Sequence, residues 1–239
     1  MTEKKVLIII PAFNEQGNIG KTVRSVFALG MPLSIVVIND GSLDSTAREA
    51  FDAGAQVISL PFNLGIGGAV QTGFQFAFHN DFDFAIQVDG DGQHDAVFLK
   101  NLLEPLLEDR ADLVIGSRFL TDDEDGFKSS FTRRVGIHFF SHLISFLTGC
   151  KTTDPTSGFR ACNRFLIKAF ARSYPHDFPE PEAIVLAKRL NARILEIPVV
   201  MKKRGAGKSS IRFTKSVYYM VKVTFAIMLD MIKQKKAVV

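Results

Sequence analysis

Apolar positions along the chain follow two alternating rhythms. Short, mostly aliphatic and β-branched runs occur at Val6 to Ile10, Ser34 to Ile38, Gln56 to Leu60, Phe84 to Val88 and Leu113 to Ile115. Between them apolar residues return at helical spacing, first at Ile19, Val23, Val26 and Phe27, then at Ala69, Gly73, Phe76 and Ala77. Near-continuous apolar runs suit strands covered on both faces, and strands alternating with amphipathic helices predict an α/β fold with a mostly parallel sheet. No internal repeat is visible.

After Arg118 the rhythm changes. An acidic loop, Thr121 to Gly126, precedes an apolar helix predicted from Thr132 to Thr148, and a mixed region without an assigned element runs to Pro198. A basic, glycine-containing loop from Lys202 to Ser209 leads into an amphipathic stretch, Val217 to Ile232. That stretch contains Lys222 and Asp230. As a helix it would be roughly 24 Å long, short of the ~30 Å hydrocarbon core of a bilayer. The expectation is one domain over 1–211, followed by a surface-lying helix and basic tail over 212–239.

Composition narrows the class. With 46% hydrophobic and 23% charged residues in 239, the chain can build a full core and is not disordered. Its two cysteines, Cys150 and Cys162, cannot frame a disulfide scaffold or a zinc site, and read as packing residues in a reduced compartment. The net charge of +4 comes largely from late residues such as Lys202, Lys203, Arg204, Lys208, Arg212 and Lys215, which suits an anionic partner. The opening residues read as the approach to a first strand, not as a signal peptide.

Ligands of open parallel sheets bind beyond the carboxyl ends of the strands, and four predicted strands end in polar chemistry. They run into Pro11-Ala12-Phe13-Asn14-Glu15, Asn39-Asp40-Gly41-Ser42-Leu43-Asp44, Asn63-Leu64-Gly65, and Asp89-Gly90-Asp91-Gly92-Gln93-His94. In the last, two carboxylates two residues apart with glycines between and after them can turn toward one hard cation, which takes one or two carboxylates plus phosphate oxygens. A solvated acidic turn is the plainer alternative. Asp44 or Ser42 reads as a helix cap, whereas Asp40, at a strand tip, can accept a hydrogen bond from a nucleobase. The Gly65-Ile66-Gly67-Gly68 run lacks the full dinucleotide fingerprint and its acidic partner, which argues against an oxidoreductase. His94, His138 and His142 lack ligand partners at useful spacing and receive no catalytic role.

Taken in order, PAFNE, NDGSLDST, NLGIGGAVQTGF, DGDGQH, GSRF, DPTSGFR and RGAGKSS resemble the GT-A glycosyltransferases of family 2. Within them the resemblance is to polyprenyl-phosphate sugar transferases of the dolichol-phosphate mannose synthase type. It implies that Pro11, Phe13, Glu15, Ile38 and Asp40 form the pocket for base and ribose. Asp89, Gly90, Asp91 and Gln93 would hold the diphosphate, with Asp89, Asp91 and Gln93 holding Mg²⁺ or Mn²⁺. Arg118, with Arg133 and Arg134 at the head of the apolar helix, would cradle the acceptor phosphate. Asp154 would act as base or position the acceptor, and Arg204 and Lys208 would close on the donor. Two departures stand out: Asn39 occupies a position where the family usually has Asp, and Lys208 precedes Ser209-Ser210 where the family usually ends Gly-x-Ser-Lys.

The resemblance therefore implies an inverting, metal-dependent transfer of a sugar from a GDP- or UDP-linked donor to a polyprenyl phosphate. The setting would be the cytoplasmic face of a membrane, held peripherally, with a small integral membrane subunit as companion and no nucleic acid. Charge developing on the leaving diphosphate calls for a cation and basic side chains, while a phosphate acceptor is already anionic and needs positioning more than a strong base. Two rivals are kept. One is the same fold with a glycan or other hydroxyl acceptor, for which Asp154 would be a true base. The other is a non-catalytic nucleotide-sugar-binding subunit of a membrane complex.

Overall fold

The computed structural model describes residues 4–120, 131–176 and 179–202, the side chains of 131–136, 138 and 147 excepted. The basic loop from residue 203, the amphipathic stretch and the boundary expected near 211 lie outside the described residues. Five strands fall where the apolar runs predict them: β1 (Val6–Ala12), β2 (Leu33–Asn39), β3 (Gln56–Ser59), β4 (Phe84–Gln87) and β5 (Leu113–Ser117). Between and after them lie α1 (Ile19–Phe27), α2 (Thr46–Asp52), α3 (Gly65–His79), α4 (Leu99–Leu107) and α5 (Phe131–Thr148). The region left unassigned in sequence supplies β6 (Arg160–Asn163), α6 (Arg164–Arg172), α7 (Pro179–Arg189) and β7 (Ile194–Pro198).

All seven strands form one sheet in the order β3-β2-β1-β4-β6-β5-β7. β1, β2, β3 and β4 pair in parallel, β6 lies antiparallel between β4 and β5, and β7 runs parallel to β5. The chain steps outward from β1 through β2 to β3, then returns to place β4 on the other side of β1. That reversal opens a crevice above the carboxyl ends of β1 and β4. Both faces of β1 are buried, with Leu7 and Ile9 in one core and Ile8 and Ile10 in the other, which explains its uninterrupted apolar run.

Helix α3 approaches the sheet closely because it carries Gly73, where a Cβ would lie 2.2 Å from Ile9 Cγ2. In α5, Ile137, Phe140 and Ile144 face the core, while Phe139 and Phe146 are exposed. Phe27, at the end of α1, also lies exposed instead of in the core. Cys162 is buried and Cys150 half-buried, and both are free. No helix among the described residues is long and apolar enough to cross a membrane.

The pair β5 and β7 carries much of the candidate site, and Arg193 anchors its lower end. Its Nε and Nη2 each donate to Asp112 at 3.0 Å, its backbone N–H donates at 2.7 Å, and Asn163 Nδ2 adds a bond at 2.8 Å. The Arg193 guanidinium is the main reason the Asp112 carboxyl titrates below its ordinary value. A carboxyl depressed by folding contributes fully above its unfolded pKa, about 4, and the contribution fades as pH falls through the folded value. Asp112→Asn is expected to cost about 1 kcal/mol near neutrality, discounted for the half-exposed arginine. In urea titrations its deficit against the wild type should shrink below about pH 4; a constant deficit down to about pH 2 would contradict this origin.

Candidate active site

The loops after β1, β2 and β3 are tied to one another by their own polar groups. Asn14 N–H donates to Ser42 Oγ at 3.0 Å, and Asn14 Oδ1 accepts from Leu43 N–H at 3.0 Å. Glu15 N–H donates to Thr46 Oγ1 at 2.8 Å, and the Glu15 carboxylate accepts from Asn18 Nδ2 at 3.0 Å. Asp44 Oδ1 accepts from Thr46 N–H at 2.9 Å and so caps the first turn of α2. Burial alone would raise the Asp44 carboxyl, but the bonds from Thr46 and Gln16 carry it below its ordinary value.

Asp40 is buried, and its oxygens accept from Leu64 N–H at 2.7 Å and Gly65 N–H at 3.0 Å. It therefore holds the start of α3 against the tip of β2. Gly41, at φ +70°, allows the close approach: a Cβ there would lie 2.8 Å from Asn63 N. Asn39 is oriented from both ends, donating to Ser59 Oγ and accepting from Ser42 N–H, each at 3.2 Å. Pro11 and Ile38 are buried beneath these loops, and Phe13 is 47% exposed above them.

The Asp89–His94 turn crosses from β4 toward β1. A Cβ on Gly90 would lie 3.2 Å from Pro11 O, so this turn and the loop after β1 meet directly. Gly92 takes φ +77°, and Gln93 N–H donates to Asp91 Oδ1 at 3.0 Å. Gly158 closes on the other side, where a Cβ would meet the two Asp89 carboxylate oxygens at 3.0 and 3.2 Å. The far end of the turn is zipped to the segment before the basic loop, with Lys202 N–H donating to Gln93 O at 2.8 Å and His94 bridging to Met201. Among the described residues no three His, Cys, Asp or Glu side chains come together to hold a metal on their own. Two carboxylates on a glycine-rich turn fit instead a hard cation that completes its shell with water and phosphate oxygens, while the Gln93 side-chain amide donates to Lys202 O at 3.5 Å.

Beyond β5 stands a buried ion pair. Arg118 Nε donates to Asp154 Oδ2 at 2.6 Å and Nη2 to Oδ1 at 2.7 Å, and Arg118 N–H adds a bond at 3.2 Å. Asp154 is 0% exposed and the Arg118 side chain 12%. The loop bearing Asp154 hangs from Glu196 of β7, whose carboxylate accepts from Thr152 Oγ1, Thr153 N–H and Oγ1, and Asp154 N–H at 2.7 to 3.0 Å. Below it Arg160 is buried and donates to the carbonyls of Ser157, Pro155 and Glu180 at 2.6 to 2.9 Å. Burial pushes the nearby Glu180 carboxyl above its ordinary value, against the pull of Arg160.

Thus Pro11, Ile38, Asp40, Asp89, Gly90, Asp91 and Gln93 gather at the carboxyl edge, and Arg118 and Asp154 pair directly. Arg133 and Arg134 lie in the first turn of α5 with side chains outside those described, and Arg204 and Lys208 lie outside the described residues altogether. Sequence reasoning missed Glu196, Arg160 and the engagement of His94. A lone glutamate inside the apolar run Ile194-Leu195-Glu196-Ile197 was the available signal for the first.

The sequence profile of the family described as Glycosyl transferase family 2 matches residues 7–170. A UDP-N-acetylglucosamine–dolichyl-phosphate N-acetylglucosaminyltransferase of Methanococcus voltae is 30% identical, over 83% of this chain and 86% of its own length. An undecaprenyl-phosphate mannosyltransferase of Micrococcus luteus is 29% identical, over 87% of each. Among solved structures, glucosyl-3-phosphoglycerate synthase from Mycobacterium tuberculosis, in complex with Mn²⁺, UDP and phosphoglyceric acid, superposes with TM-score 0.71 at 21% identity. That superposition covers 95% of this chain and 78% of the other, and shows the shared fold.

Removing one partner of a buried ion pair strands the other charge, at a cost of about 3–5 kcal/mol. Arg118→Ala is therefore expected to destabilise by that amount in equilibrium unfolding, and Arg118→Met combined with Asp154→Leu to recover much of the loss. A cost of Arg118→Ala under about 1 kcal/mol would mean that the pair is solvated.

Proposed function

We propose that this chain, which belongs to glycosyl transferase family 2, transfers one sugar from a nucleoside-diphosphate sugar to a polyprenyl phosphate, with inversion at the anomeric carbon. The observation that carries the acceptor assignment is the state of Asp154. Both its oxygens are bound by Arg118 and none of its surface is exposed, so it is poorly suited to take a proton from a hydroxyl acceptor. An acceptor phosphate needs no such base, because its oxygen is already anionic. The pair suits the task differently: Asp154 fixes the guanidinium through Nε and Nη2, leaving Nη1 to meet a phosphate. Relatives named for dolichyl-phosphate and undecaprenyl-phosphate acceptors support the same reading.

For the donor, the pocket of Pro11, Phe13, Glu15, Ile38 and Asp40 receives base and ribose. Asp40 acts chiefly by locking the neighbouring loop. Asp89, Asp91 and Gln93 would hold Mg²⁺ or Mn²⁺, and the metal would supply charge stabilisation on the departing diphosphate. Gly90 and Gly158 keep that turn close to β1 and free of side-chain bulk. Arg204 and Lys208 follow in sequence a segment zipped to the same turn, and their positive charge suits the diphosphate. Arg133 and Arg134 join Arg118 on the acceptor phosphate, and the exposed Phe139 and Phe146 line the way for the lipid chain. The terminal basic segment holds the protein peripherally on the cytoplasmic face, beside a small integral membrane subunit.

The direct test supplies the purified protein with Mn²⁺, polyprenyl phosphate in detergent and a panel of radiolabelled nucleotide sugars. One label should enter the organic phase, and Asp91→Ala should cut that rate at least about a thousand-fold while the circular dichroism spectrum persists. Label recovered only in a water-soluble glycan would favour the hydroxyl-acceptor rival.

The two helix-head arginines separate acceptor from donor. Arg133→Ala with Arg134→Ala is expected to raise the KM for polyprenyl phosphate about ten-fold or more, while donor affinity by calorimetry stays within about two-fold. Equal losses on both sides would put these arginines elsewhere.

A further inference from the structure

We infer that His94 is a positioning residue for Asp89, acting as a neutral imidazole whose Nε2–H faces the carboxylate that holds the metal. This rests on the reading of Asp89 as a metal-holding group. One bond to the ring has an unambiguous direction. The backbone N–H of Asp89 meets His94 Nδ1 at 3.0 Å, and a backbone N–H only donates. Nδ1 must therefore offer its lone pair, so it bears no proton, and the ring's single N–H sits on Nε2. That nitrogen lies 3.5 Å from Asp89 Oδ2. One imidazole thus binds the main chain of Asp89 through Nδ1 and turns its Nε2–H toward the carboxylate of the same residue, at a distance longer than a formed hydrogen bond.

The ring is immobilised from several sides. It is 4% exposed and stacks on Phe159, with centroids 4.6 Å apart and planes 12° from parallel. Its backbone is bridged to Met201, and its neighbour Gln93 accepts from Lys202 N–H at 2.8 Å. Phe159 follows Gly158, the residue that presses on the other side of Asp89. The stacking partner and the bare glycine beside the carboxylate therefore come from one short segment, and that segment also carries Asp154.

A carboxylate 39% exposed at the mouth of a crevice would otherwise sample several rotamers. An N–H aimed at one oxygen favours one rotamer and closes to a hydrogen bond when a cation fixes the carboxylate, which is the role of groups that support metal-binding side chains. Loss of such a partner typically weakens metal binding ten- to a hundred-fold. His94 touches neither the diphosphate nor the sugar in this account and is not a catalytic residue.

Two variants split the ring's functions. His94→Asn can keep an acceptor for Asp89 N–H but has no donor long enough for Oδ2, while His94→Gln can place an amide donor near the Nε2 position. Binding is read with Mn²⁺ alone, from the electron paramagnetic resonance signal of the free ion, on variants whose thermal unfolding remains cooperative. His94→Asn is expected to weaken Mn²⁺ binding about ten-fold or more and His94→Gln to recover part of it. The turnover rate at saturating Mn²⁺ should fall much less. Separately, nitrogen chemical shifts of the metal-free wild type should report His94 protonated at Nε2 alone. Equal Mn²⁺ affinity in wild type and His94→Asn, or a proton on Nδ1, overturns the inference and leaves the functional reading standing. A wild type that binds no Mn²⁺ overturns the functional reading, and this inference with it.

Discussion

Asp154 is a carboxylate with no exposed surface, and a charge so placed persists only because Arg118 meets it with both ends of a guanidinium fork. The rest of the carboxyl edge is organised around that pair. Arg118 follows β5, Asp154 belongs to the loop before β6, and Glu196 on β7 suspends the loop from above. Three strands are thereby locked at the end where ligands of such sheets bind. A buried pair of this kind adds little net stability, since its Coulomb attraction roughly offsets the desolvation of both charges. Its value is positional: the loop from Asp154 to Gly158 must lie where Gly158 can press against Asp89.

From that floor the site extends toward β1. The Asp89–His94 turn is confined by Gly158 on one side, by Pro11 O beneath Gly90 on the other, and by the Met201–Lys202 segment at its far end. Asp40 gives the loops after β2 and β3 a matching restraint, since its carboxylate caps the first amides of α3. The proposed donor cleft is thus framed, among the described residues, by groups already paired within the protein. Preorganisation of this kind places stabilising groups where charge develops during transfer.

The parallel half of the sheet was legible because its physics is local. β1, β2 and β4 are covered on both faces, so they appear as apolar runs, and α1 and α3 show helical spacing. β6 escaped notice because it has four residues, runs antiparallel and begins with the buried Arg160. β7 lies at the sheet edge and is only partly buried, which leaves no clear periodicity. In the site, the Asp89 and Asp91 turn was legible as two carboxylates among glycines. The partner of Asp154 was not, because Arg118 lies 36 residues away and nothing local announces the pairing. Asp40 reads as a base acceptor at a strand tip, and what the sequence does not announce is that its carboxylate also binds amides 24 and 25 residues further on. His94 has no neighbouring ligand residue in sequence, and its engagement depends on ring orientation and a stack with Phe159.

The proposed seat of the donor diphosphate and its metal is the turn between β4 and the 3₁₀ segment at Ala96–Phe98, braced from below by the Asp154–Gly158 loop. The most direct measurement is a crystal structure with Mn²⁺ and a nucleoside diphosphate, with anomalous scattering recorded at the manganese edge. The account predicts one anomalous peak between Asp89 and Asp91, with diphosphate oxygens completing its shell and the Arg118–Asp154 pair intact. An anomalous peak bound elsewhere, or a diphosphate lying away from this turn, would contradict it.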